Sequence, residues 1–156
     1  MGDIYLAANK RIRRSQGAAD FEKAIIQKNH THNALFFRDE VLTLFNFDED
    51  VIETFSASGD SLTSVPILFN NDRRGSDAVM RQDPMTGKYY SISRLKPGYV
   101  LTEIEEATGL GVRDIALEIT DYRQLAILGG RVYLIAMPLK KRESVEYELI
   151  WMDVSE

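Results

Sequence analysis

Residue types able to do chemistry are few in this chain and widely spaced. His30 and His32 are its two histidines, and Asp39 and Glu40 follow close behind. Two imidazoles and a carboxylate form the donor set of a three-ligand metal site. No metalloenzyme motif surrounds them, and histidines in an exposed turn need no special explanation, so no metal is assigned. Arg73 and Arg74 in "NNDRRGS" could bind an anion in the loop after an apolar run, the structural alternative being an ordinary surface turn. Lys10, Arg11, Arg13 and Arg14 cluster four cations that could hold phosphates. The structural alternative there is a solvated face or a terminal arm. Asp48 and Asp50 read as charges at a helix start rather than as a catalytic acid and base. Phosphate-loop, dinucleotide-binding, zinc-protease and serine-hydrolase motifs are absent. The chain has no cysteine, which excludes disulfides, thiolate metal sites and cysteine nucleophiles. No catalytic residue and no cofactor is assigned, and the chain is read as non-enzymatic.

Those side chains must be carried by a chain of 156 residues, 44% hydrophobic and 28% charged. That is enough for one core or two small subdomains. The apolar runs "LAIL" and "VYLIAMPL" fall far short of the ~20 residues that span a bilayer. In "DIYLAANKRIRRSQ" the basic cluster follows the apolar residues, the reverse of a secretory signal. These features set the expectation of a cytoplasmic protein with no membrane partner. The net charge of -5 is uneven. Residues 1–100 hold 13 basic and 13 acidic residues, whereas residues 101–156 hold 6 and 11. A field of that sign slows the approach of polyanions, so nucleic-acid contact would need local basic patches.

Along the chain, Phe21, Ala24, Ile25 and Lys28 lie at helical spacing and predict a helix over 18–28. "ALFFRDEVLTLFNF" suits either a helix or strands. "FDEDVIETFSASGD" predicts a helix with acids in its first turn and Gly59 as its stop. "SVPILF" predicts a buried strand whose proline marks an edge or a start. "KYYSISRL" alternates as a strand. "KPG" at Lys96–Gly98 punctuates the chain, and a boundary is placed there. Two strands should flank Gly129-Gly130, a dipeptide suited to a tight hairpin turn. A second hairpin should join residues 131–137 to 145–152 through "PLKKRES". In its last strand Val145, Tyr147, Leu149 and Trp151 alternate with Glu146, Glu148 and Ile150, as when one face is packed and the other mostly wet.

The most specific stretch is "LTEIEEATGLGVRDIALEI", residues 101–119. Thr102 and Glu105 have the spacing of a capping box. A first helix over 103–108 would bury Ile104 and Ala107, and Gly109 and Gly111 would supply a turn. Val112, Ile115, Ala116 and Ile119 recur at i, i+3, i+4, i+7, one apolar stripe of a second helix. Leu101, Thr102, Ile104, Ala107, Thr108, Gly109 and Leu110 match a phrase of the type "LT-x-I-A-x-A-T-G-L". The stretch therefore resembles the helix-turn-helix of bacterial winged-helix regulators, with the two hairpins standing where a wing would. The resemblance covers about residues 101–152. It implies major-groove contacts from Arg113 and Asp114 and phosphate contacts from Lys140, Lys141 and Arg142 at the wing tip. Glu105 departs from the family's small alanine, and the presumed recognition helix is acidic. The structural alternative is a hairpin of two helices packed on the following sheet.

The expected architecture is α+β. A mixed region over 1–96 precedes a winged-helix-like region over 99–154, two short helices followed by antiparallel hairpins, the whole being one compact domain or two. The first functional reading is a DNA-associated regulator or accessory protein. It would contact phosphates through Lys140, Lys141 and Arg142, through Lys10, Arg11, Arg13 and Arg14, and through Arg113. The alternative is an acidic interaction module or inhibitor that binds a protein partner, or assembles as a homo-oligomer, and does not bind DNA, acting through Glu103, Glu106, Asp114 and Glu118.

Overall fold

Alternation of apolar and polar residues, dense in β-branched and aromatic types, decides the fold. The computed structural model describes residues 33–69, 79–138 and 147–154. Over these residues the chain forms 11 strands in three antiparallel sheets and no helix. The α+β expectation and the winged-helix resemblance are therefore corrected to an all-β architecture. The helix expected over 18–28 lies outside the described residues.

The chain divides into two compact units, Met1–Ile67 with Ala107–Gly109, and Leu68–Glu106 with Leu110–Glu156. The first carries one sheet in the order β1 (Ala34–Arg38), β2 (Val41–Asn46), β3 (Val51–Ser56), β4 (Ser61–Pro66). The ambiguous "ALFFRDEVLTLFNF" resolves into β1 and β2, joined by Asp39 and Glu40 at φ 50° and 63°. Both sit in the left-handed region that a two-residue hairpin demands and that glycine or asparagine fills more cheaply. The helix expected over "FDEDVIETFSASGD" is instead a turn followed by β3. Asp50 has φ 55°, which ends any helical entry, and Ile52 and Thr54 lie buried opposite Phe45 and Thr43. Pro66 ends β4, an edge strand, where its missing N–H costs nothing.

The second unit holds two sheets. One runs β5 (Val79–Gln82), β6 (Tyr89–Leu95), β7 (Gly98–Glu105), β8 (Leu110–Leu117). The other has the order β11 (Glu148–Asp153), β10 (Arg131–Pro138), β9 (Ile119–Leu128). "KPG" forms the turn between β6 and β7, which pair Leu95 with Gly98. The presumed helix-turn-helix is the β7–β8 hairpin and the first residue of β9. Thr102, read as a helix cap, gives its hydroxyl to Asp114 across the hairpin at 2.5 Å. The apolar stripe does not survive as one face: Val112 and Ala116 are exposed while Ile119 is buried.

The two sheets of this unit share one core. Tyr90, Ile92, Leu101 and Leu117 meet Ile119, Ile127, Val132, Leu134, Ala136 and Val154. A buried carboxylate joins two turns beside it. Asp83, fully buried, accepts from the backbone N–H groups of Met85, Thr86, Gly129 and Gly130 at 2.9, 3.4, 2.9 and 2.6 Å. Gly129 and Gly130 turn β9 into β10 with φ 61° and 73°, the mirror-image turn their types predicted. No helix long and apolar enough to cross a membrane occurs among the described residues.

Candidate functional site

The sheet of β9, β10 and β11 has one face in the core and one in solvent. On β10, Val132, Leu134 and Ala136 point inward, leaving Arg131, Tyr133, Ile135 and Met137 outward. On β11, Ile150 and Met152 pack against the core while Leu149, Trp151 and Asp153 are exposed. This inverts the sequence expectation that put Leu149 and Trp151 on the packed face. Ile150, Met152 and Val154 were the overlooked signal, an apolar series of the other parity. Register places Trp151 opposite Tyr133 and Leu149 opposite Ile135. On the other side of β10, Ala126 and Gln124 face Tyr133 and Ile135.

The outward residues are large and apolar where solvent would favour small and polar ones. Leu149 is 71% exposed and Trp151 56%, with Ile135 and Leu128 also open. Two guanidinium groups lie on the rings. Arg131 stands 4.5 Å from the Trp151 ring centroid and Arg123 3.9 Å from that of Tyr147, the geometry of a cation–π pair. Arg123 reaches its ring because the β9–β10 register slips there: Ile135 faces Gln124, but Ala136 faces Tyr122. That bulge leaves Arg123 as the extra residue. Each pair is anchored by a carboxylate. Arg131 Nε donates to Asp153 at 2.8 Å, and the Tyr147 hydroxyl donates to Asp121 at 2.9 Å. Hydrogen bonds that Arg131 gives to Asp153 and Tyr133, with the charge of Asp153, hold the Arg131 pKa above its ordinary value. The face is thus a row of aromatic and aliphatic groups with fixed orientations and locally balanced charge.

A second polar cluster sits at the margin of the core. Glu103 on β7 bonds Lys88 Nζ at 2.6 Å and Arg113 on β8 at 3.0 Å. Arg113 also donates to the Val154 carbonyl. Burial pushes the Glu103 carboxyl up, but the hydrogen bonds and charges of Lys88 and Arg113 outweigh it and hold the group below its ordinary range. Tyr90 is buried beside this cluster. Desolvation, then the charges of Glu103 and Asp83, push its hydroxyl up to about 12. For Asp83, burial acts upward as the largest single influence. The N–H groups of Gly130, Gly129 and Met85, with Thr86, together prevail and hold it at about 2. The two shifted carboxylates are committed to internal bonds, and the Tyr90 hydroxyl is shut away from solvent. A recess of about 400 Å³ lined by Leu68, Phe69 and Val112 has Arg113 and Asp114 as its charged wall, and both are engaged by Glu103 and Thr102.

The sequence-derived site residues separate accordingly. Arg113 and Asp114 lie on a strand, not on a recognition helix, and Arg113 serves the buried pair. Glu103 is 8% exposed. Glu106 is half-buried in the β7–β8 turn, and Glu118 is exposed between β8 and β9. Lys10, Arg11, Arg13, Arg14, Lys140, Lys141 and Arg142 lie outside the described residues, as do His30, His32, Arg73 and Arg74. Among the described residues no group of three His, Cys, Asp or Glu side chains comes together as a metal site. Arg123, Arg131, Tyr133, Ile135, Leu149 and Trp151 were not singled out from sequence; the parity of the last strand could have found Leu149 and Trp151, while the other four depend on the pairing of β9 and β10. The chain matches no protein-family model, and no curated protein is significantly similar to it.

Proposed function

We propose that this protein is a non-catalytic binding module that docks a protein partner on the outer face of β9, β10 and β11. One observation carries the reading: Leu149, Trp151, Ile135 and Tyr133 form a contiguous solvent-facing group braced by Arg131 and Arg123. Contiguous exposed apolar surface marks interaction sites, and tryptophan, tyrosine and arginine dominate the energetic centres of protein interfaces. Bracing matters too, because side chains already ordered lose less entropy on docking. The charge balance favours a protein over a polyanion. Arg131 is matched by Asp153, and Asp121 stands beside Arg123 through Tyr147, so little net positive potential is left to hold phosphates. The phosphate-contacting reading has lost its recognition helix to β8, and its wing cations lie outside the described residues.

The test is a photo-crosslinking residue at Leu149 in the full chain, expressed in its own cell. Polypeptide adducts are expected at this position and not at Leu62, an exposed position on β4. They should be lost when Tyr133 and Trp151 are both changed to alanine. Adducts to nucleic acid alone, or equal adducts from Leu62, would refute the proposal.

A further inference from the structure

We infer that β11 is a pairing edge for a second copy of this chain, giving a two-fold dimer in which two three-stranded sheets join into one of six. The inference rests on the edge of the sheet rather than on its outer face, so either proposal can fail alone.

Hydrogen-bond parity comes first. Val154 N donates to Gly130 O at 2.7 Å, in register with the ladder that pairs Arg131 with Asp153. In an antiparallel pair, alternate residues point their N–H and C=O toward the partner. Val154, Met152 and Ile150 therefore face β10, and Asp153, Trp151 and Leu149 direct N–H and C=O to the other side. Among the described strands none pairs there.

The middle of the edge lacks the devices that keep edges apart. Those devices are charged side chains, lysine above all, proline, bulges and shortness, and the two charges of β11, Glu148 and Asp153, stand at its ends. β11 reads "ELIWMD", with no lysine or proline, and it pairs with β10 without a register shift. β9, at the opposite edge, is broken by two such shifts.

Self-complementarity selects the second copy as occupant. Antiparallel pairing about Ile150 puts Ile150 opposite its own copy, Leu149 opposite Trp151, Glu148 opposite Met152 and Tyr147 opposite Asp153. Leu149 and Trp151 are both outward-bonding residues, so each such pair exchanges two hydrogen bonds. Side chains keep their faces: Leu149 and Trp151 of both copies line one surface, and Ile150 and Met152 line the inner one. No like charges stand opposite. Shifting the register by one residue would set Glu148 against Asp153 and oppose inward-bonding to outward-bonding residues. The strand is about 20 Å long, so the contact belongs to the small, reversible class.

The full chain should show concentration-dependent association in sedimentation equilibrium between micromolar and millimolar. Trp151, the single tryptophan, should shift its emission to the blue as the dimer forms. Leu149→Pro removes an outward N–H and spares the β10 ladder; it should weaken association at least about tenfold at an unchanged urea midpoint. Leu149→Lys serves the same purpose if the proline variant unfolds. Ile150→Cys introduces the only thiol in the chain at the two-fold axis. There Cα atoms of a non-hydrogen-bonded pair approach to about 4.5 Å, within disulfide reach. Oxidation should yield a covalent dimer. A chain that stays monomeric at every concentration with no cross-link at Ile150 overturns the inference, as does a dimer indifferent to both Leu149 variants. Adducts from Leu149 to other polypeptides with no dimer also overturn it, while leaving the docking face standing.

Discussion

Replacing Asp83 by asparagine should cost this protein about 3 kcal/mol, and the cost should fade in acid. The carboxylate accepts four backbone N–H bonds, two of them from the glycines that turn β9 into β10. It is fully buried, so solvent screening does not weaken the argument. A carboxyl held at about 2 instead of 3.8 contributes about 2 kcal/mol at neutral pH, at roughly 1.4 kcal/mol per tenfold change in proton affinity. Asparagine keeps one acceptor, but its amide nitrogen would face a glycine N–H. Stranding that donor adds about 1 kcal/mol or more. The folded group is the stronger acid, so its contribution is complete above the unfolded value near 3.8 and disappears as pH falls through about 2. Urea unfolding followed by circular dichroism, on both proteins at about pH 7 and at about pH 2.5, gives the comparison. A gap under about 1 kcal/mol at neutral pH would refute the assigned role, and so would a gap that stays constant on acidification.

Three further outcomes follow from the same physical chemistry. Glu103→Gln should destabilise by about 3 kcal/mol because it leaves Arg113 without its buried partner, whereas Lys88→Met, at a half-exposed lysine, should cost under about 1 kcal/mol; equal losses in urea titrations would contradict this. The Glu103 carboxyl is held below its ordinary range, so the Glu103→Gln gap should be complete above that range and shrink as pH falls below it. Glu40→Gly should stabilise the first sheet by about 0.5–1 kcal/mol, since a φ of 63° strains a residue with a Cβ; a lowered melting temperature would count against it. Tyr90→Phe should be neutral or stabilising, because the buried hydroxyl has no hydrogen-bond partner among the described residues; a loss above about 1 kcal/mol in thermal unfolding would show a bond to that oxygen.

The features legible in sequence were those with a local cause. Gly129-Gly130 announces a turn because both positions need positive φ, and both have it. "KYYSISRL" and the two strands flanking "PLKKRES" alternate plainly, and they form β6, β10 and β11. The 101–119 stretch failed for a nonlocal reason. Glu103 occupies an inward position of β7, and an acid there hides the strand's alternation. What makes it tolerable is Lys88, just ahead of β6, and Arg113 on β8, which no local pattern displays. The acids of "FDED" suggested a helix start, yet Asp50 turns the chain with a left-handed φ. In β11 the glutamates between Tyr147, Leu149 and Trp151 made the exposed face look like the packed one. The exposed apolar face is not legible locally because burial is settled by which parity of β11 meets Val132 and Leu134.

Every hydrogen-bonded strand pair in the three sheets joins consecutive strands of the chain. Each ladder can therefore form by closing a short loop, and loop-closure entropy is small at every step. Contacts that must wait for distant chain are of another kind: Asp83 with Gly129 and Gly130, 46 and 47 residues apart, and Arg113 with the Val154 carbonyl, 41 residues apart. Folding of the second unit should accordingly proceed as hairpins first, with the buried carboxylate and the guanidinium fastening them last. Substitutions at Asp83 or Arg113 should then accelerate unfolding and leave the refolding rate nearly unchanged.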